Sequence, residues 1–159
     1  MKLTRTCLFL VSTTALVIGA SASAFADTAT QNLAVSATIS KACVITTSPV
    51  AFGVYDFTSG TDNDHGAGGV VFNCTKGTAT TIQLSIGTNG SAPQRRMVAS
   101  GNYLNYKLFS DSTRNTEWTT AATIPGVDVG TVSVYGRIPA GQNQPAGSYT
   151  DTVVATITF

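Results

Sequence analysis

Charge is scarce in this chain and histidine scarcer still: 11% of the 159 residues are Asp, Glu, Lys or Arg, and there is one His. No basic patch is available to neutralise phosphates, so nucleic acid is excluded as a partner. The shortage of histidine bears on catalysis. Nucleophilic chemistry needs a base held by a third group, but His65 lies in the polar run Asp62-Asn63-Asp64-His65-Gly66 and the chain has no Gly-x-Ser-x-Gly elbow. A metal site on Asp62, Asp64 and His65 is disfavoured against a solvated loop, since calcium prefers a longer, regular acidic loop. Glu117 and the scattered Asp residues offer no evident pair for glycoside hydrolysis. The expectation is a non-enzymatic protein without a cofactor.

A long hydrophobic run is also missing. Cys7 to Ala20 is apolar but interrupted by Ser12, Thr13, Thr14 and Gly19, whereas a membrane anchor needs roughly 20 continuous apolar residues. The basic start Met1-Lys2-Leu3-Thr4-Arg5, this short run and the small-residue stretch ending Ala24-Phe25-Ala26 have the form of an export signal. Residues 1–26 are expected to be removed. The mature chain then starts at Asp27, is secreted and is not inserted in a membrane. About 133 residues remain, enough for one domain with a real core. Loss of Lys2 and Arg5 leaves seven basic residues against eight acidic, a net charge of about −1. Few charges beside abundant Thr, Ser, Gly, Ala and Val describe a neutral, strand-rich surface suited to meeting other proteins.

Cys7 leaves with the signal, so Cys43 and Cys74 remain as a pair in an oxidising compartment. A structural disulfide is preferred over a metal pair or a reactive thiol, because there is no CxxC and only one histidine. Closing a loop of about 32 residues would contribute roughly 3.5–4 kcal/mol in the chain-entropy model.

Helical periodicity is hard to find. Period-two alternation recurs along the mature chain between Gly, Asn, Asp and Pro clusters, as in an antiparallel all-β domain. Apolar or strand-like stretches fall at 33–39, 50–57, 69–75, 81–86, 96–99, 103–109, 127–138 and 149–159. Ser100-Gly101-Asn102 suggests a hairpin, and residues 111–118 an edge strand at most. Seven or eight strands suit two stacked sheets of immunoglobulin-like proportions. Trp118 follows both cysteines, so the antibody marker of a Trp between them is absent. Trp118, Tyr103 and Tyr106 could present a sugar-stacking face, although core packing is the commoner use of such aromatics. Tyr149 is expected to be structural, its hydroxyl turned back to the preceding loop. The sequon matches at Asn73 and Asn89 are chance-level.

The two ends carry the functional reading. Val153, Ala155, Ile157 and Phe159 share one face of the last stretch, and the pattern has not decayed at Phe159. Strand edges seek partners for their N–H and C=O groups, so a sandwich ending in this way could lack a covering strand. Leu33, Val35, Ala37 and Ile39 similarly share a face in residues 27–40, which contain neither Pro nor Gly. Their burial would contribute about 5–8 kcal/mol before ordering costs. That segment could pair within its own chain or fill the open edge of another copy, and periodicity alone leaves the two close to parity.

The block Pro139-Ala140-Gly141-Gln142 with Ala146-Gly147-Ser148-Tyr149-Thr150-Asp151-Thr152 through Phe159 resembles the ending of the spore coat U domain family, which includes subunits of archaic chaperone–usher pili. Ile39-Ser40-Lys41-Ala42-Cys43, Phe52-Gly53 and Val71-Phe72-Asn73-Cys74 extend the likeness over most of the mature chain. The resemblance implies an immunoglobulin-like sandwich over residues 41–159 that lacks its last strand. A periplasmic chaperone would fill the gap first, and the donor strand of another copy, residues 27–40, would replace it at an outer-membrane usher. The donor side chains would be Leu33, Val35, Ala37 and Ile39, with Ala29 and Gln31 at the weaker outer end. The acceptor groove would be lined by Val153, Ala155, Ile157 and Phe159, and the Phe159 carboxylate would anchor on a basic residue of the chaperone. The product would be a cell-surface fibre supporting adhesion or biofilm formation. A self-contained secreted coat or matrix protein and a carbohydrate-binding tip adhesin are the alternatives.

Overall fold

The computed structural model describes residues 26–159. The expected export signal, Cys7 included, lies outside the described residues apart from Ala26. Residues 26–37 belong to a different unit from Thr38–Phe159. They carry no helix or strand, and Leu33 and Val35 are each 87% exposed.

The second unit is all-β. Its strands are β1 (Cys43–Ser48), β2 (Ala67–Cys74), β3 (Ala79–Leu84), β4 (Arg95–Ala99), β5 (Asn102–Phe109), β6 (Thr123–Val127), β7 (Val129–Arg137) and β8 (Ala155–Thr158). They form two antiparallel sheets, β1-β2-β7-β5-β4 and β6-β3-β8. Alternation drives both. In β3, Thr80, Ile82 and Leu84 are buried while Ala79, Thr81 and Gln83 face out, and β2 buries Val70, Phe72 and Cys74. These side chains meet Leu104, Leu108, Val134, Ile138 and Trp118 in one core.

Local chemistry sets the connections. Ala99 opposes Asn102, so β4 and β5 are joined by a two-residue turn, Ser100-Gly101, with φ of 47° and 81°. Two left-handed residues match the twist of a hairpin. Cys43 and Cys74 are register partners across β1 and β2 and form a disulfide.

Several expectations need correction. The stretch 127–138 is not one strand. Asp128, at φ 59°, breaks it, so that β6 joins one sheet and β7 the other. Residues 50–57 form no strand. Phe52 instead fills a slot where Gly66 and Gly136 lack side chains: a Cβ on Gly136 would stand 2.5 Å from the Phe52 ring. Trp118 belongs to no sugar-stacking face. It is fully buried, with its indole N–H donating to the Ala122 carbonyl at 3.2 Å, and Tyr106 is buried as well. The expectation for residues 27–40 concerns pairing between copies and stands apart from these; among the described residues of the single chain they carry no strand.

Candidate functional site: a cleft between two sheet edges

Among the described residues, β1 pairs only with β2, and β8 only with β3. Each is therefore the edge of its sheet, with one row of backbone groups lacking a ladder partner. Between the end of β1 and the segment leading into β8 lies a cleft of about 420 Å³. Val70, Leu84, Leu108 and Val134 form its buried floor. Thr47, Ser48 and Val50 line one wall, and Tyr149 to Val153 with Ala155 the other. Inner-face side chains on both sides (Ile45, Val50, Phe52, Met97, Val153, Ala155, Ile157) are only partly buried, although they pack on the core.

The last strand is built in two parts. Ala155–Thr158 pairs with β3, Ala155 opposite Leu84 and Thr158 opposite Thr81. Residues 149–154 are extended but bond to other segments: Thr150 exchanges both backbone bonds with Val98, and the Thr152 and Val154 carbonyls accept from the Thr88 and Ser85 amides. All these bonds lie on the side away from β1. Val153, Ala155 and Ile157 alternate with exposed Thr152, Val154, Thr156 and Thr158, while Phe159 is 52% exposed. Of the four expected groove residues, Val153 and Ala155 line the cleft, Ile157 continues its wall along β8, and Phe159 stands at the exposed end.

Tyr149 donates its hydroxyl hydrogen to the Pro145 carbonyl at 2.8 Å. A second tyrosine does similar work that sequence reading did not anticipate. Tyr55 donates to the Pro139 carbonyl at 2.8 Å and accepts from the Gln142 amide at 3.0 Å, fastening the segment after β1 to the loop before the last strand. Beside Tyr149, a wider hollow of about 710 Å³ continues between that segment and the loop.

Asp151 is the charged residue on the cleft wall. It accepts from the Tyr106 hydroxyl at 2.7 Å and from the Asn89 backbone and side-chain amides at 3.0 and 3.1 Å. Burial, then the bond to Asp151, raises the Tyr106 pKa well above its usual value, so the phenol stays protonated. Its signal was in the sequence: Asp151 falls in phase with Tyr149 and Val153 on the inward face. Arg95, 4% exposed, closes the same end from within, donating to the carbonyls of Leu84, Ser85 and Trp118 at 3.2, 3.0 and 2.7 Å. Nothing about its neighbours in sequence marked it as buried.

The acidic loop is tied to the end of β7 by an ion pair. Asp64 takes a bidentate pair from Arg137 at 2.7 and 2.8 Å, and this hydrogen bonding holds its pKa below the usual carboxylate value. The His65 amide donates to Asn63 Oδ1 at 3.1 Å. Among the described residues no group of three or more His, Cys, Asp or Glu side chains converges.

The arrangement offers main-chain hydrogen bonding along two edges and apolar contact between them, which is the chemistry of strand capture. Comparison with known proteins places the fold. A chain of the CsuC–CsuE chaperone–tip adhesion subunit pre-assembly complex from the archaic chaperone–usher Csu pili of Acinetobacter baumannii superposes with a TM-score of 0.53 at 21% identity. The match covers 77% of the present chain and 40% of that one, so the chain spans less than half of that structure's length. Protein U of Myxococcus xanthus is 39% identical over 155 residues, covering 84% of this chain and 87% of the relative. The Spore Coat Protein U domain model matches residues 29–156. The chain belongs to the spore coat protein U domain family.

Proposed function

We propose that this protein is a structural subunit of a secreted surface fibre, assembled by donor-strand exchange. The observation that carries the reading is the cleft between the end of β1 and the segment leading into β8, flanked by two unpaired edges and partly exposed inner-face side chains. Its occupant in the fibre is the 27–40 segment of another copy. Leu33, Val35 and Ile39 are 84–87% exposed in the isolated chain, a poor resting state for three large apolar side chains at alternate positions. Before assembly a periplasmic chaperone holds the cleft, and an outer-membrane usher exchanges the chaperone strand for that of the next subunit. The chain is thus exported to the periplasm and then the cell surface, where it supports adhesion or biofilm formation and performs no catalysis. The architecture shared with a chain of a chaperone–subunit complex supports this reading.

A self-contained coat protein is the second reading, favoured by the description of the matching family as a spore coat protein domain. One experiment separates them. The chain from Asp27 is produced without a partner and compared with a copy lacking Asp27 to Ser36 and with Leu33→Asp. Exchange predicts SDS-resistant ladders for the full chain and their loss in both variants. A stable monomer in all three favours the self-contained protein.

A further inference from the structure

The outer face of the first sheet is free of charge where β1, β2 and β7 lie side by side. Two cross-strand rows fix its pattern: Val44–Asn73–Val129 and Thr46–Val71–Thr131. Val44, Val71 and Val129 are 65%, 43% and 64% exposed, and Thr46 and Thr131 are exposed beside them. Ser48, Gly69 and Ser133 make a third row without charge, in which Ser48 and Ser133 are exposed, Gly69 is buried, and Ser48 and Gly69 also border the cleft. Exposed faces of antiparallel sheets usually carry polar and charged side chains. Here five β-branched side chains, Val44, Thr46, Val71, Val129 and Thr131, stand exposed together, and the inner side of the same strands is already committed to the core and the disulfide.

We propose that this face is a lateral contact between copies of this chain, through which fibres pack side by side. Two properties of the face point to a second copy. With no charge, it meets no repulsion from its own like, and a two-fold contact sets the exposed Val44, Val71 and Val129 of one copy against the same three of the other. Its size sets the conditions. Three strands and three rows span on the order of 300 Å², well short of the roughly 800 Å² per partner typical of a stable pair. Two single subunits therefore do not dimerise through it. A fibre repeats the patch on every subunit, and many weak contacts then act together. The inference rests on the fibre reading above, and association through the face depends on polymerisation.

The test introduces charge in the middle row. Thr46→Lys/Thr131→Lys and Thr46→Glu/Thr131→Glu double variants of the chain from Asp27 are assembled in parallel with the unaltered chain. SDS-resistant ladders report polymerisation, while low-speed sedimentation and electron microscopy report bundling. Unaltered fibres are expected to bundle. Each charged variant should keep its ladder while bundling falls by about tenfold or more. Mixing preformed Lys and Glu fibres should restore bundles, which only contact of the face with its own counterpart produces. Charged fibres that bundle as well as unaltered ones, or mixtures that stay dispersed, overturn the lateral contact and leave the fibre reading standing. Absence of a ladder in the unaltered chain overturns the fibre reading, and the lateral contact with it.

Discussion

The Tyr106 hydroxyl donates to Asp151 Oδ2 at 2.7 Å, joining the floor of the cleft to the strand that forms its wall. The same carboxylate holds Asn89, so one acidic side chain ties the turn after β3, the middle of β5 and the start of the last strand.

Burial of the Tyr106 phenol, and then this bond, make the fold sensitive to alkali. The folded Tyr106 pKa lies above its ordinary value of 10.0, so its contribution is complete below about pH 10 and is lost as pH rises through the window above. Tyr106→Phe should cost about 1 kcal/mol at pH 7. Above pH 10 the gap between the two proteins should close or reverse. Urea midpoints between pH 7 and 11 measure both effects, and a constant gap would contradict them.

At the acid end the corresponding group is Asp64. Arg137 lowers its pKa below 3.8, so its stabilisation is present above that value and disappears as pH falls through the folded pKa. Both partners are partly exposed, and solvent screening keeps the effect small. Asp64→Asn should lose roughly 0.5–1 kcal/mol at pH 7, and the gap should narrow as pH falls below 3.8. Thermal melts across that range provide the check.

Removing the disulfide by Cys43→Ser and Cys74→Ser should cost about 3–4 kcal/mol. The loss should be felt first in β1, whose only ladder partner is β2. Amide exchange should therefore quicken at Val44 to Thr47 before it does in β5 or β7. Uniform quickening would show that the bridge acts only on the unfolded chain.

Gly136→Ala places a Cβ 2.5 Å from the Phe52 ring and 2.9 Å from Val50 Cγ1. Overpacking of this kind costs about 1–3 kcal/mol. Phe52→Leu in the same chain should recover part of that loss, as read by denaturant unfolding. A double variant no more stable than Gly136→Ala alone would refute the slot.

The amino-acid sequence by itself determined the all-β class, because alternation such as Thr80-Thr81-Ile82-Gln83-Leu84 can bury only one face of a strand. It also determined the cysteine pair and the hairpin at Ser100-Gly101, both of which depend on residue types over short distances. The tertiary structure alone decided the rest. Val127 and Val129 are out of phase with Val132 and Val134, but the pattern does not say that Asp128 takes a left-handed conformation and sends the two halves to different sheets. Residues 50–57 are apolar enough for a strand, but Phe52 is drawn into a gap left by Gly66 and Gly136, which are distant in sequence. Trp118 and Arg95 are buried by neighbours that local pattern cannot name. The cleft itself belongs to this second kind. Periodicity marks Val153, Ala155 and Ile157 as one face, but only the stacking of two sheets determines that the segment leading into β8 faces the end of β1 across a cleft.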